Sequence, residues 1–122
     1  MPKRDSMKIK ITVGQTVLLS TMDDNPTSKD FLSQLPLTLV LEDYAGTEKI
    51  SDLPKKLTTK DAPKGYKPSA GDIAYYAPWG NLAIFYKDFS FSDGLIAFGK
   101  IDSDINTLKA AGSVKTTIDL TQ

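Results

Sequence analysis

The run Lys8-Ile9-Lys10-Ile11-Thr12-Val13 alternates polar and apolar side chains with period two, the pattern of a strand with one buried face. Gly14-Gln15 supplies a tight turn, and Thr16 to Met22, rich in apolar and β-branched residues, completes a hairpin. Asp23-Asp24-Asn25-Pro26 ends the pairing. From Thr27 the period changes: Thr27 and Asp30 read as a capping box, Phe31, Leu32 and Leu35 fall on one helical face, and Pro36 ends the helix.

Leu37-Thr38-Leu39-Val40-Leu41 reads as a third strand, and residues 46–51 as a short fourth one after the Tyr44-Ala45-Gly46 turn. Residues 53–70 carry three prolines, Gly65 and five lysines, so they read as a long surface connection with a short strand near Leu57-Thr58. The clearest block follows. Ile73-Ala74-Tyr75-Tyr76-Ala77 and Leu82-Ala83-Ile84-Phe85-Tyr86 flank the turn Pro78-Trp79-Gly80-Asn81, a strong hairpin signal. Residues 95–101 make another strand, Asp104, Ile105 and Leu108 suggest a short capped helix stopped by Ala111-Gly112, and residues 114–120 alternate again. About eight short strands and two short helices favour a closed β-barrel or sandwich over a parallel sheet. Residues 1–6 form a tail and residues 7–122 one domain, since 122 residues suffice for one core and not two.

Composition narrows the chemistry more than the fold. Fifteen basic and fifteen acidic residues cancel, so no global field steers the protein toward nucleic acid or an anionic membrane, and neither partner is expected. The lysines at 55, 56, 60, 64 and 67 read as a solvated surface. With no cysteine and no histidine, disulfides, thiolate catalysis, the usual metal ligands and the usual general base are all lacking. No cofactor is expected. The start is basic but is followed by alternation instead of an apolar core, so it does not read as a signal peptide, and the reading is a cytoplasmic protein.

Metal binding is not expected. Asp102-Ser103-Asp104-Ile105-Asn106 opens like a calcium loop, but Thr107 stands where glycine is needed and Ser113 where a bidentate glutamate is needed. Those residues read as caps of the second helix. Asp23 and Asp24 are sequence neighbours beside a turn, which seldom converge on one ion.

Ten of the eleven aromatic residues lie between Tyr44 and Phe98, and Tyr75, Phe85 and Phe98 read as core. Trp79 sits at a hairpin tip, where turn chemistry alone does not ask for tryptophan. Packing against the barrel end is its plainer reading and a ligand-facing role the sharper one. With Asn81 beside it, it is proposed to meet a ligand together with Tyr44, Tyr76 and Phe91. Glu48, if buried, is a candidate acid or base; its plainer reading is pairing with a lysine.

Two segments resemble cyclophilin in the same order: residues 71–86, similar to the family's central strand, loop and strand, and Asp93-Gly94-Leu95-Ile96-Ala97-Phe98-Gly99-Lys100-Ile101. The span from Met7 to Leu120 resembles more closely a group of short bacterial cyclophilin-like domains of unestablished function. Leu37-Thr38-Leu39, Asp43-Tyr44-Ala45-Gly46-Thr47-Glu48-Lys49 and Gly71-Asp72-Ile73 with Pro78-Trp79-Gly80-Asn81 carry that likeness. The resemblance implies a mostly β, cyclophilin-like closed barrel. It also implies what is missing: isomerising cyclophilins hold the prolyl amide with a strand arginine and a nearby histidine. The only arginine here is Arg4, and the corresponding strand offers Glu48 and Lys49. The expectation is a binding module for a peptide or small molecule, without prolyl isomerase activity and without catalytic residues. The alternatives are an enzyme using Glu48 and tyrosines in a barrel-side pocket, and a structural or oligomer-forming domain. Oligomeric state is left open.

Overall fold

The computed structural model describes residues 7–109 and 112–121. The tail at 1–6 with Arg4, the helix stop at Ala111 and the terminal Gln122 lie outside the described residues. β1 (Met7–Val13) and β2 (Thr16–Met22) form the expected two-residue hairpin, with Gly14 at φ 61°. Then come α1 (Pro26–Leu32), β3 (Leu37–Tyr44), β4 (Glu48–Asp52), the two-residue β5 (Gly65–Tyr66), β6 (Asp72–Tyr76) and β7 (Asn81–Phe85). The two-residue β8 (Ser92–Asp93), β9 (Leu95–Ile101), a 3₁₀ turn (Asn106–Lys109) and β10 (Val114–Leu120) complete the chain.

Eight strands close into an antiparallel barrel in the order β1-β10-β3-β4-β7-β6-β9-β2, which leaves no unpaired edge in that sheet. Among the described residues no helix is long and apolar enough to cross a membrane.

Inside the barrel, Ile9, Ile11, Val13, Leu18, Leu41, Ile73, Tyr75, Leu82, Ile84, Phe98 and Ile118 form one continuous core. Phe31 of α1 packs edge-on against Phe98 at 5.0 Å. β7 departs from simple alternation because all five of its residues are buried. Leu82 and Ile84 face the interior, whereas Ala83 and Phe85 join Ala74 and Leu95 in a second cluster on the outside of the same strands. A strand covered on both faces reads as a continuous apolar run. Phe85, expected in the core with Tyr75 and Phe98, is therefore buried in the outer layer instead.

Three local expectations are corrected. α1 starts at the Asn25 cap, whose side chain accepts from the Ser28 N–H, with Pro26 preset for the first turn. Thr27 and Asp30 do not form a capping box; they reach across to the Thr58 carbonyl and N–H, at 2.7 Å each. For that reason Leu57-Thr58 is no strand: its polar groups are taken by side chains, and the Leu57 N–H donates to the Tyr75 hydroxyl. Finally, Asp104 alone caps the 3₁₀ turn, accepting from the Asn106 N–H, while Asp102 serves Thr21 and Lys8 on the neighbouring hairpin.

Candidate functional site

Strand alternation places Glu48 and Ile50 on the outer face of β4 and turns Lys49 inward, opposite Ile84. Lys49 is 1% exposed, 3.6 Å from the Asp43 carboxylate and 2.8 Å from the Gly112 carbonyl oxygen. The sheet register extends the outer face sideways. Glu48 pairs with Phe85, Ile50 with Ala83, and Tyr76 with both Asn81 and Leu95. Ala74 and Ala83 of the same face pair with each other and are fully buried, while larger side chains of that face enclose a hollow.

That hollow has a volume of about 210 Å³ and is lined by Tyr44, Glu48, Ile50, Tyr76, Trp79 and Asn81, with Phe85, Phe89, Ser92 and Leu95 completing the wall. Five of the six residues singled out in the sequence thus meet in one concavity. Phe91 does not; it is 57% exposed, and Phe89 takes the place expected for it. Ile50, Phe85, Ser92 and Leu95 were missed as well. Ile50 and Phe85 had a signal in their parity with Glu48, through the β4 alternation and the β4–β7 register. Ser92 and Leu95 come from distant sequence and had none.

Turn backbone sets the rim. The Gly80 N–H bonds the carbonyls of Tyr76 and Ala77, so the tight turn spans 77–80 and β7 begins at Asn81. Trp79 at its tip is 55% exposed, which excludes a core plug. Its ring meets Tyr44 at 5.7 Å and Tyr76 at 5.3 Å, each at an interplanar angle of 84°. The Ala77 N–H reaches the Gly94 carbonyl, and Gly94 at φ 81° leaves no room for a Cβ beside Pro78.

The polar groups of the hollow are under-used. Among the described residues the Glu48 carboxylate has neither an ion pair nor a hydrogen bond, contrary to the lysine pairing expected for it. Burial alone raises its pKa to about 7. Asn81 is 3% exposed, and its amide oxygen has no partner among the described residues. Nearby phenols register the same surroundings: Tyr86 is pushed up to about 12, first by burial and then by Asp43 and Glu48. Tyr66 is raised by burial and by Asp72, Asp23 and Glu48.

A closed eight-stranded barrel with its hollow on the outer face invites comparison with known proteins, and the profile of the cyclophilin-like family matches residues 11–119. The chain belongs to the cyclophilin-like family. Among solved structures, the solution structure of a hypothetical protein from Archaeoglobus fulgidus is similar, with a TM-score of 0.71 and 17% sequence identity. The match covers 99% of this chain and 100% of that one, and it speaks to the fold alone. No curated protein matches the chain. Within this cyclophilin-like domain, none of the residues lining the hollow is cationic.

Proposed function

We propose that this cyclophilin-like domain is a binding module whose ligand occupies the outer-face hollow, and that it does not isomerise prolyl bonds. One observation carries the reading: a half-exposed tryptophan, a carboxyl and an amide oxygen, the last two without partners among the described residues, converge on a single concavity. Buried polar groups without partners are costly to a folded chain, and a ligand that completes them recovers that cost. Turn aromatics fixed by neighbouring rings are the anchors on which binding energy usually concentrates.

A catalytic reading is favoured by Glu48 alone, since a carboxyl with a pKa of about 7 is tuned for proton transfer. It lacks a partner: among the described residues no hydroxyl or amine is hydrogen-bonded to that carboxylate as nucleophile or relay. Binding is therefore the better-supported role.

Amide NMR spectra recorded during titration with small neutral, anionic and cationic fragments test the proposal. Saturable shifts are expected at Tyr44, Glu48, Trp79 and Asn81. Saturable shifts confined to another part of the barrel would reject the site.

A further inference from the structure

The chemistry of the lining restricts what the hollow accepts. Tyr44 and Tyr76 both stand nearly perpendicular to Trp79, at centroid distances of 5.7 and 5.3 Å, so each tyrosine meets the tryptophan at a right angle on the wall of the hollow. The face of such a ring carries negative charge density and attracts a cation. The Glu48 carboxylate, unpaired among the described residues, lies directly across the β3–β4 ladder from Tyr44 and lines the same hollow as the Asn81 amide, which presents oxygen or nitrogen after a simple flip. No lining residue supplies a positive charge. Resting on the reading of the hollow as a ligand site, we propose that it recognises an alkylammonium group, carried by a free amine or by a lysine side chain, with the aromatic walls around the cation and Glu48 as its counter-ion.

The groups surrounding Glu48 support that sign of charge. Tyr44 faces it from β3 and Tyr76 lines the hollow from β6, while Tyr86, just after β7, is turned inward to Asp43 and feels the charge of Glu48. Tyr66 of β5 donates to Asp72 and feels Asp23 as well. Asp72 is paired with Lys100, and Lys49 is turned to the opposite face with Asp43. Lys56 lays its stem against Gly80, outside the lining. With Glu48 titrating at about 7, its ionised fraction rises from about a tenth at pH 6 to about nine tenths at pH 8. Ammonium affinity should rise by about ninefold over that interval, because the ligand stays protonated throughout.

The experiment titrates isotope-labelled full-length protein at pH 8 with n-butylammonium, Nα-acetyl-lysine methylamide, 1-butanol and butyrate, at constant ionic strength. Both ammonium compounds should saturate the hollow and bind at least about tenfold more tightly than 1-butanol. Glu48→Gln should remove about tenfold of that preference while keeping a dispersed amide spectrum. Tyr44→Leu, which removes one wall and leaves the carboxyl, should weaken the ammonium compounds and spare 1-butanol. Tighter binding of the lysine derivative assigns the group to a peptide, and equal or tighter binding of butylammonium assigns it to a free amine; either supports the proposal. If 1-butanol or butyrate fills the hollow as tightly as the ammonium compounds, or Glu48→Gln changes nothing, the cation proposal is overturned while the ligand site stands. If no compound of any charge perturbs the hollow, both fall.

Discussion

Held beside Ile50, Phe85 and Leu95, the Glu48 carboxyl loses hydration that nothing in the hollow replaces, and its neutral form is favoured. With the unfolded value near 4.5 and the folded value near 7, the folded chain binds more protons than the unfolded chain between those limits. Stability attributable to this group is therefore present at low pH and lost as pH rises through about 7. Glu48→Gln should remove that slope and leave the variant more stable above neutrality by about 1 kcal/mol, after discount for solvent screening. Urea unfolding of both proteins at pH 5 and pH 8 checks the difference. Asp43 and Asp102 run the opposite way. Hydrogen bonds from Tyr86 and from Thr21, respectively, lower their pKa values, so their contribution is lost as pH falls. Trp79→Ala should leave the fold intact and change stability by less than about 1 kcal/mol, since the ring is half exposed. Trp79 is the only tryptophan, so native emission should be red-shifted and readily quenched.

At the scale of elements, the two-residue strands decide how the outer layer sits. A Cβ on Gly65 would lie 2.2 Å from the backbone oxygen of Ser92, so β5 and β8 pair only because position 65 is glycine. Gly65→Ala should cost about 1–3 kcal/mol and shift the amides of Tyr66 and Ser92, measured by denaturation and NMR. Strands announced by a two-residue period or by a long apolar run were legible. β1, β2, β9 and β10 match the residues whose alternation or apolar run announced them. β5 and β8 were not legible, because two residues carry no period and their pairing depends on a close approach across distant sequence. The Leu57-Thr58 error has the same root. A Leu-Thr pair in a connection looks like a strand until Thr27 and Asp30 of α1 claim its hydrogen bonds.

For the molecule as a whole, closure of the sheet puts the residues lining the hollow on the outside of a barrel whose inside is filled. Trp79, Tyr76 and Asn81 could be placed near one another from a single hairpin. Adding Glu48 and Tyr44 required the β4–β7 and β3–β4 registers. The hollow itself, walled by residues of β3, β4, β7, β6 and β9, emerges only when those strands lie side by side. Far-UV circular dichroism should be strand-dominated, given one seven-residue α-helix, and helix above about a third would contradict the barrel. In a prolyl-peptide assay the protein should give no acceleration above background, because Glu48 stands on the outer face of β4 where the resemblance calls for an arginine fork. Carbon-detected NMR titration of the Glu48 side chain, without and then with saturating n-butylammonium, tests the central claim most directly. The account predicts a midpoint near 7 that falls when the cation is bound, with release of the proton. A midpoint near 4.5 that the cation does not move would contradict it.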